Sequence, residues 1–257
     1  METLYTYINN IKKASRIFVQ GGAATPHYLL KLLSQNNTIE DVEIVAISTQ
    51  GDLPIRKQIS EGKIFVNSLF VSNNVREIVN NGHGSAIPVF LSEIPDLFNL
   101  NILPLDYAFI HLSPPDKHGY CSLGVSVDVA RAAMLNAKVV LAQINKKMPR
   151  THGDGLVHIR ELDAYVEVDE DLPEVLFTSD QVDEVNKVGN YCAELVEDGA
   201  TLQMGIGAIP DAVLNRLGNH QKLGIHTEMF SDGVIDLVKK GVITNEMKKK
   251  HPGKMVT

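Results

Sequence analysis

Short β-branched runs alternate with helix-length segments along the whole chain: RIFVQ then PHYLLKLLSQ, VEIVAIS, KIFVNSLFV then VREIVNN, LDYAFIHLS, KVVLAQIN, and ATLQMGIG then PDAVLNRL. Strands that alternate with helices of this length form βαβ units, so the pattern predicts an α/β fold with mostly parallel sheets. With 44% hydrophobic and 21% charged residues over 257 positions, there is apolar material for one large domain or more.

A weak internal repeat sharpens this. Ile17-Phe18-Val19-Gln20-Gly21-Gly22-Ala23-Ala24-Thr25-Pro26 lies over Thr201-Leu202-Gln203-Met204-Gly205-Ile206-Gly207-Ala208-Ile209-Pro210 at a constant offset of 184 residues. Each copy reads as a strand ending in glycine, a turn of small residues, proline at the first helical position, and an apolar helix carrying Leu29, Leu30 and Leu33 or Val213, Leu214 and Leu217. Two such openings predict two similar domains, residues 1–185 and 186–257, the second incomplete because the first takes about 185 residues. Beyond the second opening the chain holds one helix, the strand-like LGIHTEM, a helix VIDLVKKG closed by Gly241, and a basic tail. A piece this small does not easily close its own core. The stretch DEDLPEVLFTSD at 169–180 reads as the interdomain connection, SPPDKHG at 113–119 as a loop, and Lys248-Lys249-Lys250 as a solvated helix end.

Charge and composition exclude several classes. A net charge of −7 and a pI near 5.7 argue against a nucleic-acid binder, which needs a basic face, but leave room for one phosphorylated ligand at a local site. Cys121 and Cys192 show no metal-site spacing and read as free thiols in a reducing compartment, with no metal expected. The N-terminus lacks an apolar signal core and is not arginine-rich, and no apolar run approaches the ~20 residues of a membrane span. A cytoplasmic protein with no membrane partner is the expectation.

Gly205 and Gly207 stand where a strand yields to a helix, leaving backbone N–H groups suited to a phosphate, a carboxylate or a developing oxyanion. Glycine there also serves any tight βα turn, and this second reading is stronger still for Gly21-Gly22. Glu228 ends an apolar run just before a Ser-Asp-Gly turn, at the carboxyl end of a strand, where ligands gather in parallel sheets. In an extended segment it shares a face with His226. Carboxylates at strand ends often only cap the next helix. Asp232 is better placed for that here, which releases Glu228 for another role.

The strings NSLF (67–70), GHGSAIPVFLSEIP (82–95), SPPDKHGYCSLGVSVD (113–128), GDGLVHIRELD (153–163), LQMGIGAIPDAVL (202–214) and GIHTEMFSDGVIDL (224–237) together resemble the acetyl-CoA hydrolase/transferase family, of the 4-hydroxybutyrate and butyryl-CoA:acetate CoA-transferase kind. The resemblance runs over nearly the whole chain. It implies two CoA-transferase-type domains, with Glu228 matching the glutamate that attacks an acyl-CoA thioester through a glutamyl-CoA intermediate. It also implies that Gly205, Ile206, Gly207, Ala208 and Ile209 form the CoA-contacting loop and that Gln203 is a polar contact at the reacting centre. Asn67, His83 and Pro114 in the first domain become candidate cleft-lining residues. Buried polar loop residues more often satisfy backbone groups, and His111, His118, His152 and His158 read as structural or exposed.

Coenzyme A enters this reading as a substrate, with no tightly bound cofactor, alongside a short carboxylate acceptor. Water in place of the acceptor gives a hydrolase. An inactive or partner-dependent subunit, completed by a second chain or in a homo-oligomer, is the reading from another class, favoured by the apolar face an incomplete domain exposes. Family members carry a longer second domain with a GxGGQ-type string, and this chain has none. Catalysis needs sub-ångström positioning, so the isolated 257-residue chain is expected to transfer acyl groups to acetate below ~1 s⁻¹. A steady-state assay reaching that rate contradicts the expectation.

Overall fold

The structure, a computed structural model, describes residues 3–175 and 182–257, and the chain divides into two compact units, Met1–Val175 and Leu176–Thr257. Part of the stretch read as the connection, residues 176–180, lies outside the described residues.

The first unit runs α1 (Leu4–Asn9), β1 (Arg16–Val19), α2 (His27–Gln35), β2 (Val42–Ala46), α3 (Arg56–Ser60), β3 (Ile64–Ser68), α4 (Asn73–Asn80), β4 (Gly84–Ala86), α5 (Ile94–Asn99), β5 (Leu105–Leu112), β6 (Tyr120–Ser122), α6 (Ala130–Asn136), β7 (Ala137–Asn145), β8 (Leu156–His158) and β9 (Ala164–Val168). Seven strands form one sheet in the order β4-β3-β2-β1-β5-β7-β9, every pair parallel, while β6 and β8 make a small antiparallel ribbon. The chain winds outward from β1 to one edge, then returns to β5 and winds to the other. The α/β class and the parallel sheet are thus as the alternating pattern predicts.

Side-chain alternation along the strands decides the layers. Ile17, Val19, Ile44, Val66 and Phe109 join Leu29, Leu30 and Leu33 of α2 in one core, with residues of α1, α3 and α4. Phe18, Val45, Ala108 and Ile110 pack the opposite face against Ile94 and Phe98 of α5 and Ala130 and Ala133 of α6. Phe18 and Phe98 meet edge to face at 5.9 Å. Both faces being covered, the strands read as near-continuous apolar runs, as buried parallel strands must.

The second unit runs α7 (Val182–Glu194), β10 (Thr201–Leu202), α8 (Ala208–Leu214), β11 (Gly224–Ile225) and α9 (Gly233–Lys239), with β10 and β11 parallel. It gathers a core of its own from Met204, Val213, Leu214, Leu217, Leu223, Ile225, Val234 and Leu237. On α7 the stripe Val188, Tyr191 and the following Leu195 is exposed. Pro210 is the third residue of α8 and Pro26 immediately precedes α2, so the first-position placement is corrected. The first turn of a helix has no acceptor for its N–H groups, so proline costs little at any of these positions.

The basic tail also departs from expectation. Lys248 is only 5% exposed, and its Nζ donates to the carbonyls of Ile225 and Lys254, both at 2.6 Å. Residues 245–250 form turns and bends, not a helix end. The lysine is drawn in because β11 is a two-residue strand whose carbonyl groups need donors. Asn245 Oδ1 accepts from Ile225 N–H at 2.8 Å, and Val256 N–H adds a second bond to the Ile225 carbonyl.

Buried polar side chains gather at the carboxyl ends of the large sheet. Gln143 Oε1 accepts from the N–H groups of Tyr28 and Leu29 in the first turn of α2. His111, 3% exposed, has neither ring nitrogen in a formed hydrogen bond, although the backbone of Thr25 and Ala24 lies close by. Burial pulls its pKa down from the ordinary 6.5 to about 4, so the folded protein holds it neutral. The unfolded chain takes up this proton near pH 6.5 and the fold refuses it until about pH 4. Its contribution is therefore complete above pH 6.5 and lost as the pH falls to about 4, roughly 3 kcal/mol in all. Denaturation of wild type and His111→Gln across this range should show the smaller acid loss in the variant.

Candidate active site

The two copies of the repeat close their loops differently. Carrying the strand register from β1–β2, where Phe18 faces Val45, to β10–β11, where Leu202 faces Ile225, makes Met204 the counterpart of Gln20, Thr227 that of Ile47 and Glu228 that of Ser48.

In the first unit the loops after β1 and β2 bond directly to each other. Gly22 N–H donates to the Ser48 carbonyl, Thr25 Oγ1 accepts from Gln50 N–H at 3.0 Å, and Gly22 bridges Thr49. The point where strand order reverses, between β1 and β5, is where a parallel sheet usually offers a crevice. Here it is filled by Gln20, fully buried, which accepts from His111 N–H at 2.7 Å and donates to the carbonyls of Leu123 and Ser126. Gly22, Thr25 and Gln20 of this first loop are thus bonded to neighbouring backbone.

In the second unit the equivalent loops are tied, among the described residues, at their ends. Thr227, 7% exposed, uses one hydroxyl twice: Oγ1 accepts from Met204 N–H at 2.9 Å and donates to the Met204 carbonyl at 2.7 Å. Three residues past Glu228, Ser231 Oγ donates to Asp211 in α8. Between these ties the N–H groups of Gly205, Ile206, Gly207, Ala208 and Ile209 have no acceptor among the described residues. Gly207 opens α8 with φ +121, a conformation that glycine adopts without strain.

Glu228 stands on the short segment between the two ties. It is exposed and makes no hydrogen bond or ion pair among the described residues. Asp232 occupies the N-cap position of α9, though its side chain does not bond the helix. Gln203 is exposed at the end of β10, and Ile206, Ile209, Met229 and Phe230 bring exposed apolar surface to the same two loops. His226 lies near His251, with ring centroids 6.2 Å apart.

The first-unit candidates do not form one constellation. Asn67, half-buried in β3, is bonded to Glu43, itself paired with Arg16 at 2.8 Å. His83 lines a shallow groove with Arg56, Lys57, Glu77 and Asn81. Pro114 is exposed just past β5, beside the reversal of strand order. Among the described residues no group of three or more His, Cys, Asp or Glu gathers as metal ligands would. Thr227, Ser231 and Asp211 are the residues that the sequence pattern did not single out. The strand alternation that turns Glu228 outward also turns Thr227 toward β10, and that was the available signal.

These features define a doubly wound α/β protein with a carboxylate at a strand's carboxyl end. The chain belongs to the acetyl-CoA hydrolase/transferase family: residues 3–177 match the model of the acetyl-CoA hydrolase/transferase N-terminal domain. It is 46% identical over 252 residues to a succinyl-CoA:acetate/propanoyl-CoA:succinate CoA transferase of Fasciola hepatica, covering 96% of this chain and 52% of that protein. It is 44% identical over 251 residues to the 4-hydroxybutyrate coenzyme A transferase of Clostridium kluyveri, covering 97% and 58%. Among solved structures, 4-hydroxybutyrate CoA-transferase from Porphyromonas gingivalis superposes with a TM-score of 0.78 at 36% identity over 98% of this chain and 59% of that one. RipA from Yersinia pestis superposes with 0.88 at 31% identity, over 99% and 62%. The chain thus spans between half and two thirds of each of these relatives.

The contrast between the two glycine loops has a measurable consequence. A Cβ at Gly21 would stand 2.8 Å from the Ser48 carbonyl oxygen, whereas one at Gly205 meets only Pro210 Cγ, at 3.6 Å. Gly21→Ala should destabilise the protein by about 1–3 kcal/mol and Gly205→Ala by less than ~0.5 kcal/mol, read from urea denaturation midpoints.

Proposed function

We propose that this chain carries the nucleophile and the coenzyme A loop of a CoA-transferase acting between an acyl-CoA and a short carboxylate. The observation that carries the reading is Glu228: an exposed, unpaired carboxylate tied at both flanks to a loop of acceptor-free N–H groups. An ionised carboxylate is a weak nucleophile that becomes effective beside donors aimed at developing negative charge. The N–H groups of Gly205–Ile209 are such donors.

The steps balance as two exchanges. A Glu228 carboxylate oxygen attacks the thioester carbonyl, the C–S bond breaks, and CoA thiolate leaves behind a mixed anhydride. The thiolate attacks the glutamyl carbonyl, releasing the donor carboxylate and forming glutamyl-CoA. The acceptor carboxylate then attacks that thioester, and the freed thiolate takes the acceptor's acyl group and restores Glu228. Gln203 is the polar contact we assign at this centre, and CoA is a substrate throughout.

The two relatives and the Porphyromonas gingivalis structure cited above are named as transferases, which favours transfer over hydrolysis. No helix among the described residues is long and apolar enough to cross a membrane.

Incubation with an acyl-CoA followed by peptide mass spectrometry should find CoA, less one water, on Glu228. Glu228→Gln should lower the labelling by on the order of 10³-fold or more. Acetate should discharge the adduct faster than buffer does. An adduct on another residue, or undiminished labelling of the variant, overturns the proposal.

A further inference from the structure

We infer that Thr227 is a positioning residue: its hydroxyl sets the spacing between the ends of β10 and β11 and so holds the backbone of Glu228 against the Gly205–Ile209 loop, with Ser231 closing the far side. The inference rests on Glu228 being the nucleophile.

Register assigns the same place in the first unit to Ile47, a partly buried side chain packed in an apolar core. An aliphatic residue suffices there because the loops it separates bond to each other through Gly22 and Ser48. The second unit has no such loop-to-loop bond among the described residues, and a threonine stands in the aliphatic position. Its Oγ1 occupies both the N–H and the carbonyl of Met204, one residue before Gly205. On the other side, Thr227 N–H donates to the Val256 carbonyl at 3.0 Å, so the residue preceding Glu228 is held from both neighbours. A hydroxyl group donates and accepts at one atom, and thereby replaces two backbone ladder bonds with one side chain. The two loops can then part immediately beyond Met204 without leaving buried backbone groups unpaired. Beyond the gap, Ser231 to Asp211 rejoins the loops. The carboxylate and the open N–H groups thus face a gap of set width, which a direct bond like Gly22 to Ser48 would close.

The test uses the full 257-residue chain as wild type, Thr227→Val, Thr227→Ser, Ser231→Ala and Asn245→Ala. Asn245→Ala removes a buried bond to the same strand, at the Ile225 N–H two residues before Thr227, without touching the hydroxyl tie to Met204. Two quantities are read: amide hydrogen exchange at Met204, and the rate of CoA adduct formation at Glu228 from an acyl-CoA. Thr227→Val should speed Met204 exchange about tenfold and slow adduct formation at least as much, while Thr227→Ser restores both. Ser231→Ala, at a half-exposed site where the fold is not at risk, should also slow the adduct. Asn245→Ala should lower the melting temperature yet label at the wild-type rate. A wild-type labelling rate in Thr227→Val, or equal slowing in Asn245→Ala, overturns the inference. Absence of adduct on wild type overturns the nucleophile and with it this role, and Met204 exchange then tells that failure apart from loss of the hydroxyl tie itself.

Discussion

Parallel pairing sends every strand-to-helix connection out at the same edge of the sheet, and the backbone groups of those connections must find partners there or remain open to a ligand. This constraint organises both units. The first unit meets it with its own atoms: Gln143 occupies the first turn of α2, Gln20 fills the reversal between β1 and β5, and Gly22 bonds Ser48. Among the described residues the second unit meets it at two points, Thr227 on Met204 and Ser231 on Asp211, and leaves the run between them open.

One supersecondary opening therefore serves two purposes. The glycine that closes the first loop, Gly22 at φ +57, has Ile206 in its place in the second copy, and what faces the loop across the strand pair differs as well. Ser48 offers a carbonyl that Gly22 takes up, whereas the corresponding Glu228 leaves its loop partner unbonded. A closed loop adds stability and rigidity. An open one forgoes about 1 kcal/mol per unmade bond and exposes donors, a cost that function can justify.

Much of this was legible before any coordinates. The alternation of RIFV, VEIVA and IFVNS with apolar helices foretold the parallel sheet, because strands buried on both faces have to be apolar at nearly every position. The offset between Gly21 and Gly205 located both openings, and the strand-end position singled out Glu228. Less legible were contacts that depend on distant segments meeting. Lys248 looked like one of three solvated lysines, and is instead a buried donor shared between the carbonyls of Ile225 and Lys254, which lie 29 residues apart in the chain. Thr227 was hidden within GIHTEMF because a threonine in a strand is ordinary until its partner is known.

Residue order alone determined the class of fold and which carboxylate stands at the end of a strand, since these follow from periodicity, turn chemistry and local spacing, and six strings along it carried the resemblance to the family. Only the tertiary structure decided which glycine loop is closed and which is open, that Asn67 is committed to Glu43, and that one hydroxyl spans both polar groups of Met204. The reason is physical: a hydrogen bond reaches about 3 Å, and which groups come within that reach is set by the register of strands more than twenty residues apart.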